Sequence, residues 1–146
     1  MSTDDTIETK VSWLDNDQEG HTACITFHRP AKLNVINREA MTTLREMIVK
    51  VSKRPDLRCV ILTGGGDKAF IGGADITDMF DLDPKSAREF ITRLHRVCQA
   101  IRDCPAPVIA RIDGYCLGAG MEIAAACDLR IATTTSQFGM PEVQVG

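Results

Sequence analysis

The short, continuous apolar run at residues 59–63, CVILT, limits what this chain can become. A strand without polar alternation offers neither face to water, so both faces must be covered by other elements. The flanking sequence supplies the covers. Asn37 is placed to cap a helix running to about Ser52, with Met41, Leu44, Ile48 and Val51 on one face. Asp83 and Pro84 form a helix start, Asp as N-cap and Pro at the first helical position. That second helix runs to about Asp103 and is expected to bury Ala87, Phe90, Ile91, Leu94, Val97 and Ile101. Pro105 and Pro107 break it, and residues 108–112 read as another buried strand.

Upstream, residues 7–14 and 22–27 read as an antiparallel hairpin across a polar turn at residues 15–20. Val11 and Trp13, then Ala23, Ile25 and Phe27, alternate with polar positions. Arg29-Pro30 ends the second strand, because proline cannot donate to a ladder. The coarse order is β-β-α-β-(loop)-α-β-α-β, an α/β architecture of stacked β-β-α units. With 146 residues and no linker, a single domain spanning 1–146 is expected, with residues 1–6 disordered. A net charge of −3 argues against a nucleic-acid partner, which would call for a basic face. None of the six cysteines forms a C-x-x-C pair, so free thiols in a reducing compartment are expected. The acidic start MSTDDTIETK resembles no targeting segment, and no apolar run approaches membrane-spanning length. A cytoplasmic protein without membrane contact is the resulting expectation.

Residues 64–75, GGGDKAFIGGAD, hold five glycines, which permit sharp turns or close approach of backbone to a ligand. The stretch lacks the G-K-[ST] ending of a phosphate loop, and Gly118-Ala119-Gly120 lacks the third glycine of a dinucleotide fingerprint. The run Asp75, Asp78, Asp81, Asp83 lacks a calcium-loop pattern and reads as a solvated acidic surface. His21, His28 and His95 have no zinc spacing, so no metal site is expected, and Tyr115 reads as packing.

The segment from Pro105 to Gly146 is chemically richer. Small residues at 117–122 let a helix N-terminus present free amides, suited to an oxygen that gains negative charge during reaction. Glu122 lies in the first turn of that helix, either serving the same cavity or partnering the helix dipole. Glu142 follows Met140-Pro141 in a loop, either as a general acid or base or as an exposed loop acid.

Four ordered motifs carry a resemblance across nearly the whole chain: RPAKLNVIN from Arg29, VILTGGGDKAFIGGADI from Val60, PVIARIDGYCLGAGMEIAAACDLRIA from Pro107, and FGMPEVQVG from Phe138. Together they resemble the crotonase (enoyl-CoA hydratase/isomerase) superfamily. The resemblance implies a crotonase-like spiral of β-β-α repeats that binds an acyl-coenzyme A thioester. It implies an oxyanion hole from the backbone amides of Ala74 and Ala119; at the second position many relatives carry glycine. Glu122 and Glu142 match the two acids of the hydratase branch, which hold and activate water. Coenzyme A contacts are implied at Ala31, Lys32 and Leu33 and at Gly72, Gly73, Asp75 and Ile76. Where many relatives have K-A-L this chain has A-K-L, and Lys32, Arg29 and Lys68 are its candidate cations.

What the resemblance implies is a lyase adding water to a 2-enoyl-CoA. The coenzyme A thioester is then the substrate, and no separate cofactor is expected. The same residues leave open an enoyl-CoA isomerase, a carnitinyl-CoA-type dehydratase, or a non-catalytic acyl-CoA-binding or assembly module. The resemblance also implies a homo-oligomer, a trimer or dimer of trimers, and a C-terminal helical region beyond Val145-Gly146. Lacking that region, the chain is expected to expose apolar surface.

Overall fold

The structure is a computed structural model that describes residues 6–15 and 20–145. The disorder expected of residues 1–6 falls mostly on residues outside this set, as does the centre of the turn at 15–20. Strands β1 (Glu8–Asp15) and β2 (His21–His28) form the expected antiparallel pair, with Val11 opposite Ile25 and Trp13 opposite Ala23. On β2 the alternation works as read, and Ala23, Ile25 and Phe27 are fully buried. Trp13 is not core. Strand β1 is the outer strand of its sheet, and the Trp13 ring instead carries the Arg54 guanidinium 4.4 Å from its centroid.

A 3-10 turn (Pro30–Lys32) leads to α1 (Arg38–Ser52), capped by Asn37, whose Oδ1 accepts from the Ala40 amide at 2.8 Å. Met41, Leu44, Ile48 and Val51 are buried as the periodicity predicts. Strand β3 (Leu57–Gly64) contains CVILT and lies parallel to β2. After β4 (Ala69–Ile71) and a 3-10 turn (Ile76–Asp78), a capping box between Asp83 and Ser86 opens α2 (Pro84–Arg102). Its buried residues are Phe90, Leu94, Val97, Cys98, Ala100 and Ile101, while Ala87, also expected in the core, is half-buried. Ile91, expected in the core, is 45% exposed, since it sits about 100° around the helix from Phe90.

The rest is β5 (Val108–Ile112), β6 (Tyr115–Leu117), α3 (Ala119–Ala126), β7 (Leu129–Ala132), β8 (Gln137–Gly139) and the single-turn α4 (Glu142–Val145). Two sheets result, one of five strands in the order β1-β2-β3-β5-β7 and one of three in the order β4-β6-β8. The small sheet has no counterpart in the sequence pattern, because three-residue strands in glycine-rich sequence carry no readable period. It converts what read as loops into a parallel sheet. Glu142, placed in a loop by sequence, is the first residue of α4.

All six cysteines are free, and burial raises the Cys116 thiol to about 11 and that of Cys127 to about 12. The acidic run is a solvated surface only at Asp81 and Asp83, which are exposed. Asp75 is buried and its Oδ2 accepts from Arg29 Nη1 at 2.7 Å, while its Oδ1 accepts from the Thr77 hydroxyl at 2.6 Å. Asp78 accepts from the backbone amide and guanidinium of Arg38, and Asp83 caps α2. Arg29 is likewise no surface cation. It is 4% exposed, because the charge beneath the loop at 72–75 needs an opposite charge.

Burial alone would raise the Asp75 pKa, yet hydrogen bonds from Thr77 and Arg29 hold it below the ordinary carboxylate value. A depressed folded-state pKa contributes stability above the unfolded value and loses it as pH falls through the folded one. Arg29→Met should therefore lower unfolding free energy by about 3–5 kcal/mol at neutral pH, by leaving a buried carboxylate unpaired. In urea titrations the gap between variant and wild type should narrow as the solution is acidified.

Candidate active site

Two turns meet at one end of the small sheet, and each leaves a backbone amide without an acceptor among the described residues. The first follows β4. Gly72 N donates to Leu33 O, Ile36 N to Gly73 O, and Asp75 N to Ile36 O, each at 2.9 Å. This lacing demands glycine at 72, where a Cβ would lie 2.6 Å from the Leu33 carbonyl oxygen. The lacing skips the Ala74 amide, which has no acceptor among the described residues.

The second turn precedes α3. Gly118 adopts φ +48°, left-handed backbone that favours glycine, and its amide donates to Gly139 O at 2.9 Å. The first α3 bond runs from Glu122 N to Gly118 O, so the Ala119 amide is an unpaired helix-start donor among the described residues. Gly120 lets α3 approach the end of β4, where any Cβ would strike the Ile71 carbonyl. The two turns thus abut, and Gly73 packs near Leu117 O. An anionic oxygen entering here would meet amide donors and the positive end of a helix.

The two glutamates join this pair. The Glu142 carboxylate lies directly against Gly118, where a Cβ would collide with it. The Glu122 pKa is raised, by desolvation first and then by the like charge of Glu142, while His95 pulls it back down. Both glutamates are exposed residues, on a side of the molecule that also bears exposed Phe138 and Val143. Glu122 lies in the first turn of α3, as a dipole partner would, and Glu142 is an exposed acid, so both alternatives read from the sequence stand beside the electrostatic link between the two carboxylates.

The predicted coenzyme A residues are partly gathered. Ala31, Lys32 and Leu33 are exposed on the 3-10 turn and its end, and the Leu33 carbonyl touches Gly72. Ile76 is also exposed, beside Gly72 and Gly73 in sequence. Asp75 departs from this group, since its carboxylate turns inward to Arg29 and Thr77 and is not open to a ligand. Tyr115, expected to pack, stands 37% exposed.

Three contributors have little or no signature in the sequence. Asn34 is buried, its Nδ2 donating to Gly65 O and Ala69 O and its Oδ1 accepting from Arg29 N, which ties β4 to the turn at 29–34. Its only sequence signal is a lone amide between Leu33 and Val35. Gly139 stands out only as part of the FGMPEVQVG motif, and the spacing of His95 points to no role. Among the described residues, no group of three or more His, Cys, Asp or Glu side chains is placed to hold a metal ion.

The profile of the family described as Enoyl-CoA hydratase/isomerase matches residues 17–146. This chain belongs to that family. It is 37% identical over 130 residues to the short-chain-enoyl-CoA hydratase of Clostridium acetobutylicum, covering 89% of this chain and 50% of that protein. The crotonyl-CoA hydratase of Syntrophomonas wolfei shows the same identity and coverage. Among solved structures, an enoyl-CoA hydratase/carnithine racemase from Magnetospirillum magneticum superposes with a TM-score of 0.85 at 31% identity, over 96% of this chain and 52% of that one. The fold is therefore crotonase-like, and this family member spans about half the length of the relatives it matches.

Gly118 is a position in the family member's site where both backbone and space favour glycine. Gly118→Ala should cost about 1–3 kcal/mol from its positive-φ backbone alone. It should also drive Glu142 away, seen as shifted amide resonances in α4 with the core sheet unchanged.

Proposed function

We propose that this chain carries the reacting groups of an enoyl-CoA hydratase, a lyase that adds water across the double bond of a 2-enoyl-CoA. The observation carrying this reading is the juxtaposition of two amides lacking acceptors among the described residues with two adjacent glutamates. One carboxylate of the pair accepts a proton from water as the water oxygen bonds to C3. The C2–C3 electron pair moves toward the thioester, and the oxygen that gains charge lies between the amides of Ala74 and Ala119. The enolate collapses as C2 takes a proton, with Glu142 the donor. Atoms balance, since water contributes its hydroxyl to C3 and one hydrogen, by way of the glutamates, to C2.

A pair of like charges favours sharing one proton, which suits alternating acid and base roles. The coenzyme A thioester is the substrate, approached by the turn at Ala31, Lys32 and Leu33 and by Gly72, Gly73 and Ile76, with no further cofactor. Free cysteines support a reducing, cytoplasmic setting. Exposed Leu129, Ile131, Phe138 and Val143 support association with further protein, as a homo-oligomer or with the remainder of a longer chain.

A second reading, a non-catalytic acyl-CoA-binding module, is favoured by the half-length match to the relatives. Loss of conjugated-thioester absorbance with crotonyl-CoA separates the two, measured on this chain and on one extended to family length. Absence of turnover in both, with saturable binding by calorimetry, would establish the module instead. Glu122→Gln and Glu142→Gln should each suppress turnover far more than thioester binding. An isomerase would tolerate the first substitution and not the second. Ala119→Pro, allowed at a first helical position, removes one amide and should cost about 10²–10³ in kcat.

A further inference from the structure

The Ala74 amide is aimed by its neighbours and not by a bond of its own. Ile36 bonds the residues on either side of it, its amide donating to Gly73 O and its carbonyl accepting from Asp75 N, each at 2.9 Å. These bonds form an isolated parallel bridge between Ile36 and Ala74. Gly73 O and the Ala74 N–H belong to one trans peptide, which points them to opposite sides. With Gly73 O fixed on Ile36, the Ala74 N–H faces away from residue 36, and it has no acceptor among the described residues. Gly73 sits at φ +127°, a region open to glycine, and neither it nor Gly72 has a side chain to anchor the turn. Asp75 supplies the first such anchor after the amide.

We infer that Arg29, acting through Asp75, is the positioning residue that sets the direction of the Ala74 amide. That direction matters through the reading of the amide as an oxyanion donor, on which the inference rests. Arg29 Nη1 donates to Asp75 Oδ2 at 2.7 Å and to Val35 O at 3.3 Å. One nitrogen thus joins the residue after Ala74 to the residue before Ile36, and staples both sides of the bridge. Thr77 fixes the other carboxylate oxygen, its hydroxyl donating to Asp75 Oδ1 at 2.6 Å and its amide at 3.1 Å. Arg29 is itself held, its amide donating to Asn34 Oδ1 at 2.7 Å and its carbonyl accepting from Asn34 N at 3.0 Å. Both charged side chains are buried.

A buried ion pair is weak evidence of a need for stability, since apolar side chains of similar volume often serve as well. What apolar contact lacks is direction. A guanidinium donates along fixed N–H vectors, and hydrogen bonds weaken steeply as they bend. The pair therefore restrains rotation of the peptide that carries the Ala74 N–H, where packing alone would restrain only its distance. An oxyanion donor works only when aimed at the place where charge develops.

The test measures residual dipolar couplings of the backbone amides in the weakly aligned chain, without ligand, with the five-stranded sheet as the frame. Arg29→Met combined with Asp75→Leu removes both charges together and should stay folded. Its Ala74 coupling should depart from wild type or average toward zero, while Ala119 and the sheet keep theirs. Asp75→Asn should act in the same direction, and Arg29→Lys, which keeps a cation, should stay nearer wild type. An unchanged Ala74 coupling in the folded paired variant, or in Asp75→Asn should the paired variant not fold, overturns the proposal. Loss of fold in every variant also overturns it, since the pair is then scaffold alone. In the crotonyl-CoA assay the paired variant should lower kcat by up to about 10²–10³ with KM little changed. A change confined to KM overturns the positioning role. A wild-type chain without turnover fails the hydratase reading, and the coupling comparison then decides this one by itself.

Discussion

A buried charge organises the centre of this fold. Asp75 sits beneath the turn that follows β4, and a carboxylate there is tolerable only if opposite charge and hydrogen-bond donors surround it. Arg29 and Thr77 meet that demand, and the consequence travels outward. Arg29 is drawn in from the end of β2. Asn34 then accepts from the Arg29 amide and donates to the carbonyls of Gly65 and Ala69. Two segments that are distant in sequence, 29–36 and 65–75, are locked into one unit. The Ala74 amide hangs on that unit, so its position is as firm as the ion pair below it.

The opposite side of the site rests on space and not on charge. Gly120 permits α3 to reach the Ile71 carbonyl, and Gly118 gives the backbone a bend that leaves room for Glu142. Interiors pack without slack, so a methyl at 120 would push α3 away from the end of β4, and one at 118 would displace the Glu142 carboxylate. The chemistry on this face therefore depends on side-chain atoms that glycine does without. Polar satisfaction holds one donor in place, steric permission the other, and the like charges of Glu122 and Glu142 meet where the two arrangements join.

Much of this architecture is legible in the amino-acid sequence alone. Asn37, the Asp83-Pro84 start and the spacing of Met41, Leu44, Ile48 and Val51 define two helices, because capping and periodicity are local properties. Strand β2 and the run CVILT are equally local. Trp13 and Ile91 depart from expectation because burial depends on what neighbours cover, and a period records only which residues share a face. Strands β4, β6 and β8 are invisible in sequence since three residues cannot express a period. At the site, Glu122, Glu142 and the glycine turns stand out by residue type. Asn34 does not, because its role arises from partners far along the chain. The motif around Asp75 points to ligand contact, and only the inward Arg29 pair reveals its direction.

The small sheet also carries a message about time. Its strands are drawn from residues 69–71, 115–117 and 137–139, and the Gly118 amide is held by the carbonyl of Gly139. Chains emerge from the ribosome N-terminal end first. Strands β1, β2, β3 and β5 are thus available to pair while the final partner of the α3 turn is still unmade. A turn completed only by β8 has no settled geometry on a chain synthesised short of residue 139. The shape of the α3 turn becomes a late property of the molecule, acquired after its core and contingent on it.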